Sequence, residues 1–185
     1  MFGKRGSWGE LLQALNAVRA LAPSLPLTIS EPFAQYLDEI DSARPVLRAT
    51  DFMLANIHPV FEPWFKSGTA DNWTDFVVRV VARLAAVYKR PILVKETGVP
   101  TAPAAAGFSE EAQRDFYRLL AKRLPPSRKK AFAYFTAFDE PWRTGDFNPI
   151  PGAHPEEAYW GLFTDTREPK RIMDELPKLT LRGGG

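Results

Sequence analysis

Carboxylates follow several apolar runs in this sequence, where such a side chain could act as a nucleophile or as a proton donor. The clearest case is Glu96, which follows the apolar run 91–94 and opens the stretch Glu-Thr-Gly-Val-Pro. The run is short and contains β-branched residues, as in a buried strand, and the glycine and proline end it. An acid at such a boundary is more often functional than merely paired with Lys95 or Arg143, so we interpret Glu96 as a site residue.

Three other apolar runs that we interpret as strands also end in polar groups. These groups are Ser30 and Glu31, then Asn56 and His58, and finally Asp139 and Glu140. The carboxyl ends of parallel strands meet at one edge, which is where a (β/α)8 barrel carries its active site. No Gly-rich phosphate loop follows any of the strands, which counts against a nucleotide-binding sheet.

The elements that must position these groups alternate between strands and helices. Strands are predicted at about 26–30, 52–58, 91–96 and 131–138. Helices are predicted at about 8–22, at 73–88 with Asn72 as N-cap, after the N-cap Ser109, and briefly near 169–176. This order predicts an α/β protein built from βα units. Four units are half of a (β/α)8 barrel, which takes about 250 residues, so a chain of 185 residues predicts a half-barrel.

Composition excludes several classes of function. The 24 basic and 22 acidic residues nearly balance, so we expect no nucleic-acid partner. The absence of cysteine excludes disulfides, thiolate metal sites and a cysteine nucleophile. The two histidines do not form a metal-binding pair, and we expect neither a metal nor another cofactor.

No segment of the sequence has the pattern of a membrane span or a secretion signal. Apolar runs stay well short of about 20 residues, and the basic start of the chain leads into a segment interrupted by polar residues. The cellular location stays open, and a periplasmic or membrane-anchored parent protein is compatible with the sequence. We expect one domain over residues 1–182, and the glycines at 183–185 are typical of an added linker.

Four stretches of the chain resemble a known enzyme family. They are DFMLANIHPVFEPW, VKETGVPT, AYFTAFDEPWR and EEAYWGLFTD. Their order and spacing are similar to those in the C-terminal half of glycoside hydrolase family 17, the β-1,3-glucanase-like barrels. The resemblance implies strands 5–8 of a (β/α)8 barrel and retaining hydrolysis or transglycosylation of β-glucans.

The resemblance also implies roles for individual residues. Glu96 matches the family's nucleophile on the seventh strand. The positions that match the sugar cleft are Glu31, Asn56, His58, Phe61, Glu140, Trp142, Arg143 and Glu157. The sequence departs from the family at Val99, where tryptophan is usual, and at Arg143, where lysine is usual.

The family's proton donor has no match in this chain. It lies in an Asn-Glu motif at the end of the fourth strand, a position that would precede Trp8, and no Asn-Glu pair occurs here. Retaining hydrolysis needs two carboxyl groups about 5–5.5 Å apart. Glu31 stands at a neighbouring strand end, but we do not favour it as a replacement acid. We therefore expect a fragment that carries the nucleophile and is inactive when isolated.

Several residues also have structural interpretations. His58 could equally make a buried hydrogen bond, Asn56 could fix a loop, and we interpret Asp139 and Trp73 as structural. The three tryptophans that could stack on sugars or simply cover the core are Trp64, Trp142 and Trp160. The lone His154 is interpreted as a solvated loop residue.

Two alternative functions stay open at this point. The chain could be a non-catalytic β-glucan-binding module, or a half-barrel assembly unit. An assembly unit would form a homodimer or pair with the missing N-terminal half-barrel through its open sheet edges.

Overall fold

Four parallel strands form the sheet of this protein, in a computed structural model that describes residues 6–144 and 154–177. The strands are β1 (Ser30–Pro32), β2 (Met53–Asn56), β3 (Ile92–Thr97) and β4 (Lys130–Tyr134), in the order β1-β2-β3-β4. The helices are α1 (Trp8–Leu21), α2 (Phe33–Asp38), α3 (Ile40–Ala49), α4 (Ala70–Val87) and α5 (Glu110–Arg123). The predicted α/β class and parallel sheet are confirmed. The glycines at 183–185 lie outside the described residues.

One face of the sheet packs against the helices and forms the core. On β2, the buried residues Met53 and Ala55 alternate with the half-buried Leu54 and Asn56, as expected for a strand with two different faces. The core on the helix side is completed by side chains of α4 and α5, among them Val77, Val81, Leu84, Phe116 and Leu120. This packing fixes the strand ends that carry the polar residues.

The opposite face of the sheet is less covered. Leu54, Leu93 and Ala131 lie side by side in the register, and all are only partly buried. Ala133, two residues further along β4, is exposed. Strands of parallel sheets are normally buried on both faces. Within the described part of the chain, this protein therefore presents an open inner face.

Three strands are shorter than predicted, and the strand predicted at 52–58 covers only Met53–Asn56. The predicted strand at 26–30 begins only at Ser30, because side chains engage the residues before it: the Asp51 carboxylate accepts from the Leu27 N–H at 2.7 Å. The predicted strand at 131–138 ends at Tyr134. The chain then bonds to the C-terminal segment instead, since the Thr136 N–H donates to the Trp160 carbonyl at 3.2 Å.

The helices bring two corrections. The N-cap of α4 is Thr69, not Asn72, and Asn72 is the partner that completes a capping box three residues later. Helices α2 and α3 were not predicted, and Pro45 inside α3 obscures the helical pattern. Ser109 is confirmed as the N-cap of α5, where its side chain accepts from the Ala112 N–H. None of the helices among the described residues has the length and apolarity needed to cross a membrane.

Candidate active site

Glu96 is the penultimate residue of β3, at the carboxyl edge of the sheet. It pairs with Asn56 of β2, and the register shifts at this point. A second irregularity lies between Val94 and Thr97, where β3 pairs with β4. Such bulges change the direction of side chains and are common beside active sites.

The glycine after Glu96 is required by the close approach of the neighbouring chain segment. A Cβ atom on Gly98 would lie 2.5 Å from the carbonyl oxygen of Phe135. The next residue, Val99, is fully buried and donates its N–H to the Tyr134 hydroxyl at 3.1 Å. The Thr-Gly-Val segment thus anchors the end of β3 to β4. Val99, at the position where the family usually has tryptophan, packs in the core and offers no surface to a sugar.

Two nitrogen atoms face different oxygens of the Glu96 carboxylate. Lys95 Nζ lies 2.7 Å from Oε1, and His58 Nε2 lies 3.6 Å from Oε2. The carboxylate is mostly buried, with 25% of its side chain exposed. The imidazole of His58 lowers the pKa of Glu96 most, burial opposes this, and Lys95 adds to the lowering, so that the pKa is about 2. Glu96 is therefore ionised at neutral pH.

His58 lies within a group of aromatic rings. The ring centroids of Phe61 and Phe135 are each 5.6 Å from that of His58, and the Trp160 centroid is 5.2 Å away, all edge to face. Only 10% of the His58 side chain is exposed. Nδ1 of His58 and Nε1 of Trp160 are buried, and neither has a hydrogen-bond partner among the described residues.

Arg143 gathers the predicted acidic residues next to this group. Its Nη2 and Nε lie 2.8 and 3.2 Å from Glu157 Oε2, and its Nη1 lies 3.5 Å from Glu140 Oε2. The guanidinium also lies over the Phe135 ring, 5.2 Å from the centroid, and 5.8 Å from the ring of Trp142. The side chain of Glu157 is 5% exposed, so its carboxylate is nearly desolvated, whereas 31% of the Arg143 side chain is exposed.

The ring of Phe135 connects His58, beside Glu96, with the Arg143 cluster. This role of Phe135 was not predicted from the sequence. Phe135 contacts both His58 and Arg143, although the sequence pattern indicates it only as a residue of the strand predicted at 131–138. Because β4 ends at Tyr134, Phe135 occupies a strand end like the other site residues, and that position is the signal that could have identified it.

Two predicted sugar-cleft residues lie on β1 and β2, towards the other edge of the sheet. Asn56 Oδ1 accepts from the Ser30 hydroxyl at 3.3 Å. Glu31 is on β1, two strands away from β3, which corresponds to about 10 Å between backbones. It faces the Ala55 side of the sheet, opposite Asn56, and burial raises its pKa.

The tryptophans divide into exposed and buried side chains. Trp142 is 61% exposed, so it can stack on a ligand, whereas Trp160 is 1% exposed and belongs to the core. Trp73 is buried as predicted, stacked on Phe65 with 4.5 Å between ring centroids. Phe61, which contacts His58, is also accessible, at 44% exposure.

Other polar residues hold the loops around the centre. Asp139 bonds to Lys170 Nζ at 2.6 Å and to the Gly161 N–H at 2.8 Å, which confirms its structural interpretation. Gln113 of α5 donates to the carbonyls of Val99 and Gly161. His154, predicted to be solvated, is instead half-buried, with Nδ1 2.9 Å from the carboxylate of Glu156.

Acidic and imidazole side chains do not gather into a metal centre in the described part of the chain. There, no group of three or more histidine, aspartate or glutamate residues lies together in an arrangement that could hold a metal ion.

Comparisons with known proteins identify the family of the chain as one of glycoside hydrolases. Residues 2–161 match the sequence profile of the BtgE/BtgC glycoside hydrolase domain. A glucan 1,3-beta-glucosidase of Arthroderma benhamiae is 26% identical over 176 residues, which cover 89% of this chain and 55% of that protein.

Solved structures show the same fold. The glycoside hydrolase family 17 beta-1,3-glucanosyltransferase of Rhizomucor miehei matches with a TM-score of 0.67 at 22% identity, over 90% of this chain and 57% of that one. A beta-D-glucuronidase of Dictyoglomus thermophilum matches with a TM-score of 0.67 at 18% identity, over 96% of this chain and 30% of that one. The chain spans just over half the length of the fungal relatives. The four βα units are thus part of a fold of the (β/α)8-barrel type, and the chain belongs to the BtgE/BtgC glycoside hydrolase domain family.

Proposed function

We propose that this chain supplies the nucleophile side of a retaining active site that acts on β-1,3-glucan. The observation that carries the proposal is Glu96, an ionised carboxylate at the carboxyl edge of a parallel sheet. It faces His58, whose ring is packed among three other aromatic rings. Two of the matching proteins are named as a glucan 1,3-beta-glucosidase and a beta-1,3-glucanosyltransferase, which supports β-1,3-glucan as the substrate class.

The first chemical step would be attack by a Glu96 oxygen on the anomeric carbon of a glucosyl unit. The bond between that carbon and the glycosidic oxygen breaks as the new ester bond forms. The leaving oxygen takes a proton from a general acid. Water, or a hydroxyl of another glucan, then attacks the same carbon, gives its proton to the now deprotonated general acid and displaces Glu96, which results in hydrolysis or transfer, respectively.

The proton donor in this proposal comes from outside the four βα units. Glu31 is two strands from Glu96, about 10 Å, and its side chain faces the other way, so it does not suit a pair that needs about 5–5.5 Å. The two groups that form ion pairs with the Glu96 carboxylate are basic, Lys95 and His58. We infer that residues 1–182 act as one half-barrel unit, whose general acid lies on a complementary half-barrel.

Sugar contact is assigned to the accessible rings and to the Arg143 cluster. Phe61 and Trp142 each expose a large part of their rings, which suits stacking on the apolar faces of glucose. Glu140, which is partly exposed, can accept from sugar hydroxyls while Arg143 holds it in place.

A covalent probe tests the nucleophile without requiring a proton donor. A 2-deoxy-2-fluoro-β-laminaribiosyl fluoride carries its own leaving group, so fluoride departs without protonation when Glu96 attacks. We expect mass spectrometry of the wild-type chain to show one added fluorolaminaribiosyl group on the peptide that contains Glu96. Glu96→Gln should remain unlabelled, whereas Glu62→Gln, a matched change at another half-buried acid, should label like the wild type.

The outcomes separate the candidate functions. A label on another residue, or equal labelling of the Glu96→Gln variant, overturns the assignment of the nucleophile. Saturable binding of laminari-oligosaccharides without any label would instead indicate the non-catalytic glucan-binding module.

A further inference from the structure

His58 has a fixed orientation in the folded protein. It follows β2 and precedes a short 3-10 helix at Pro59–Phe61. The rings of Phe61, Phe135 and Trp160 contact it edge to face, and its side chain is 10% exposed. These contacts leave the imidazole little freedom to turn, so the direction of Nε2 is determined by packing.

The atom that faces Glu96 must carry a proton. An ionised carboxylate only accepts hydrogen bonds, so Nε2 of His58 is the N–H donor in this contact. Its separation from Oε2 is 3.6 Å, longer than a normal hydrogen bond. Contacts of this kind in ligand-free active sites often tighten when substrate binds.

The second cation at Glu96 is held less firmly. Lys95 Nζ is closer, at 2.7 Å, but 44% of its side chain is exposed, and it is carried on a flexible four-carbon stem. Solvent screens an exposed pair, so its contribution is small. The buried imidazole is therefore better suited than Lys95 to define where the carboxylate points.

We propose that His58 is a positioning residue, which orients the Glu96 carboxylate through its Nε2–H group instead of binding sugar itself. The inference rests on the proposed role of Glu96 as the nucleophile. The low exposure of His58 opposes a direct sugar contact, and the neighbouring Phe61 ring is the more exposed one. Nδ1 then keeps its lone pair within the aromatic group, so that His58 itself leaves no N–H without an acceptor.

The groups that act on Glu96 can be separated by variants. Lys95 reaches it from β3 and His58 from the segment after β2, and the three rings around His58 are uncharged. His58→Gln keeps an N–H donor of similar reach, whereas His58→Met has a similar length and no donor. His58→Phe keeps the ring contacts, and Lys95→Met removes the second cation.

The test is the pKa of Glu96, measured by carbon NMR of its carboxyl group, with the resonance identified by its loss in Glu96→Gln. In the wild type it should titrate at about 2, and in His58→Met and His58→Phe it should move towards the ordinary value of 4.5. His58→Gln should restore most of the low value, and Lys95→Met should shift it less than His58→Phe. Thermal unfolding of each variant reports whether it folds.

Two results would overturn the proposal. One is an unchanged Glu96 titration in whichever of His58→Met and His58→Phe folds. The other is a His58→Gln variant that behaves like His58→Met, because this would show that packing alone is responsible. Neither result depends on covalent labelling, so this proposal and the assignment of the nucleophile can fail separately.

Discussion

Lys95 Nζ lies 2.7 Å from Glu96 Oε1, although the two residues are consecutive on β3. Neighbouring residues of a regular strand point to opposite faces, so such a pair would normally be apart. The irregular register between Val94 and Thr97 allows them to meet. This irregularity in the register of β3 thus brings the Lys95 ammonium group to Glu96, the candidate nucleophile.

Glu96 should make the stability of the protein depend on acid. Its pKa is about 2 when folded, against an ordinary value of 4.5, so its contribution is complete above about pH 4.5 and is lost as the pH falls towards 2. The upper limit is about 3 kcal/mol. Urea unfolding of the wild type and Glu96→Gln between pH 7 and pH 2 should show the gap between them closing in acid. A constant gap would contradict the prediction.

Replacing Arg143 should destabilise the protein because it leaves the buried Glu157 carboxylate unpaired. Removing one partner of a buried ion pair typically costs about 3–5 kcal/mol. We expect Arg143→Ala to reach the lower part of that range, because Arg143 itself is partly exposed. Arg143→Lys should recover part of the loss.

The matched control for Arg143 is Arg44→Ala, which breaks an exposed pair with Asp41. This change should lower the free energy of unfolding by about 0–1 kcal/mol. Equal effects of the two alanine variants in urea unfolding would show that the Arg143 pair is not protected from solvent.

The sequence predicts which polar residues follow the strands better than it predicts which of those residues contact one another. Glu96 and Glu140 are indicated by the apolar runs that they follow, whereas Arg143 and Glu157 are indicated by the family resemblance alone. Their grouping through the ring of Phe135 depends on where β4 ends. That end is determined by bonds to a segment about 25 residues further along the chain, which no local pattern contains.

Gly98→Ala should disturb the end of β3. The new methyl group would lie 2.5 Å from the Phe135 carbonyl oxygen, a backbone atom that cannot turn away. Overpacking of this kind typically costs about 1–3 kcal/mol. The control is Gly9→Ala in α1, where the nearest atom is 3.7 Å away and alanine should stabilise the helix by about 0.5–1 kcal/mol. An unchanged melting temperature in Gly98→Ala would show that the backbone at Phe135 can yield to the added methyl group.

Trp142 should contribute to glucan binding, and Trp73 to stability. Trp142→Ala removes a ring that is 61% exposed, so it should weaken laminari-oligosaccharide binding with little change in the melting temperature. Trp73→Ala empties a core position and should cost about 3–5 kcal/mol of stability. Calorimetric titration at a temperature where both variants are folded separates the two effects. Equal losses of affinity would reject Trp142 as a sugar platform.

The open inner face of the sheet should promote association of the isolated chain. In the described residues, β1 and β4 each pair with one strand only, and the face that carries Leu54, Leu93 and Ala133 is incompletely covered. Unpaired edges attract further strands, and covering apolar area contributes about 25 cal/mol per Å². Two copies could close an eight-stranded ring, so light scattering at micromolar concentration should give twice the single-chain mass of 20.8 kDa.

Ala133→Glu places a charge in that interface and should release monomers, whereas Leu21→Glu, at an exposed helix end, should not. A wild-type chain that remains monomeric would exclude the paired half-barrel.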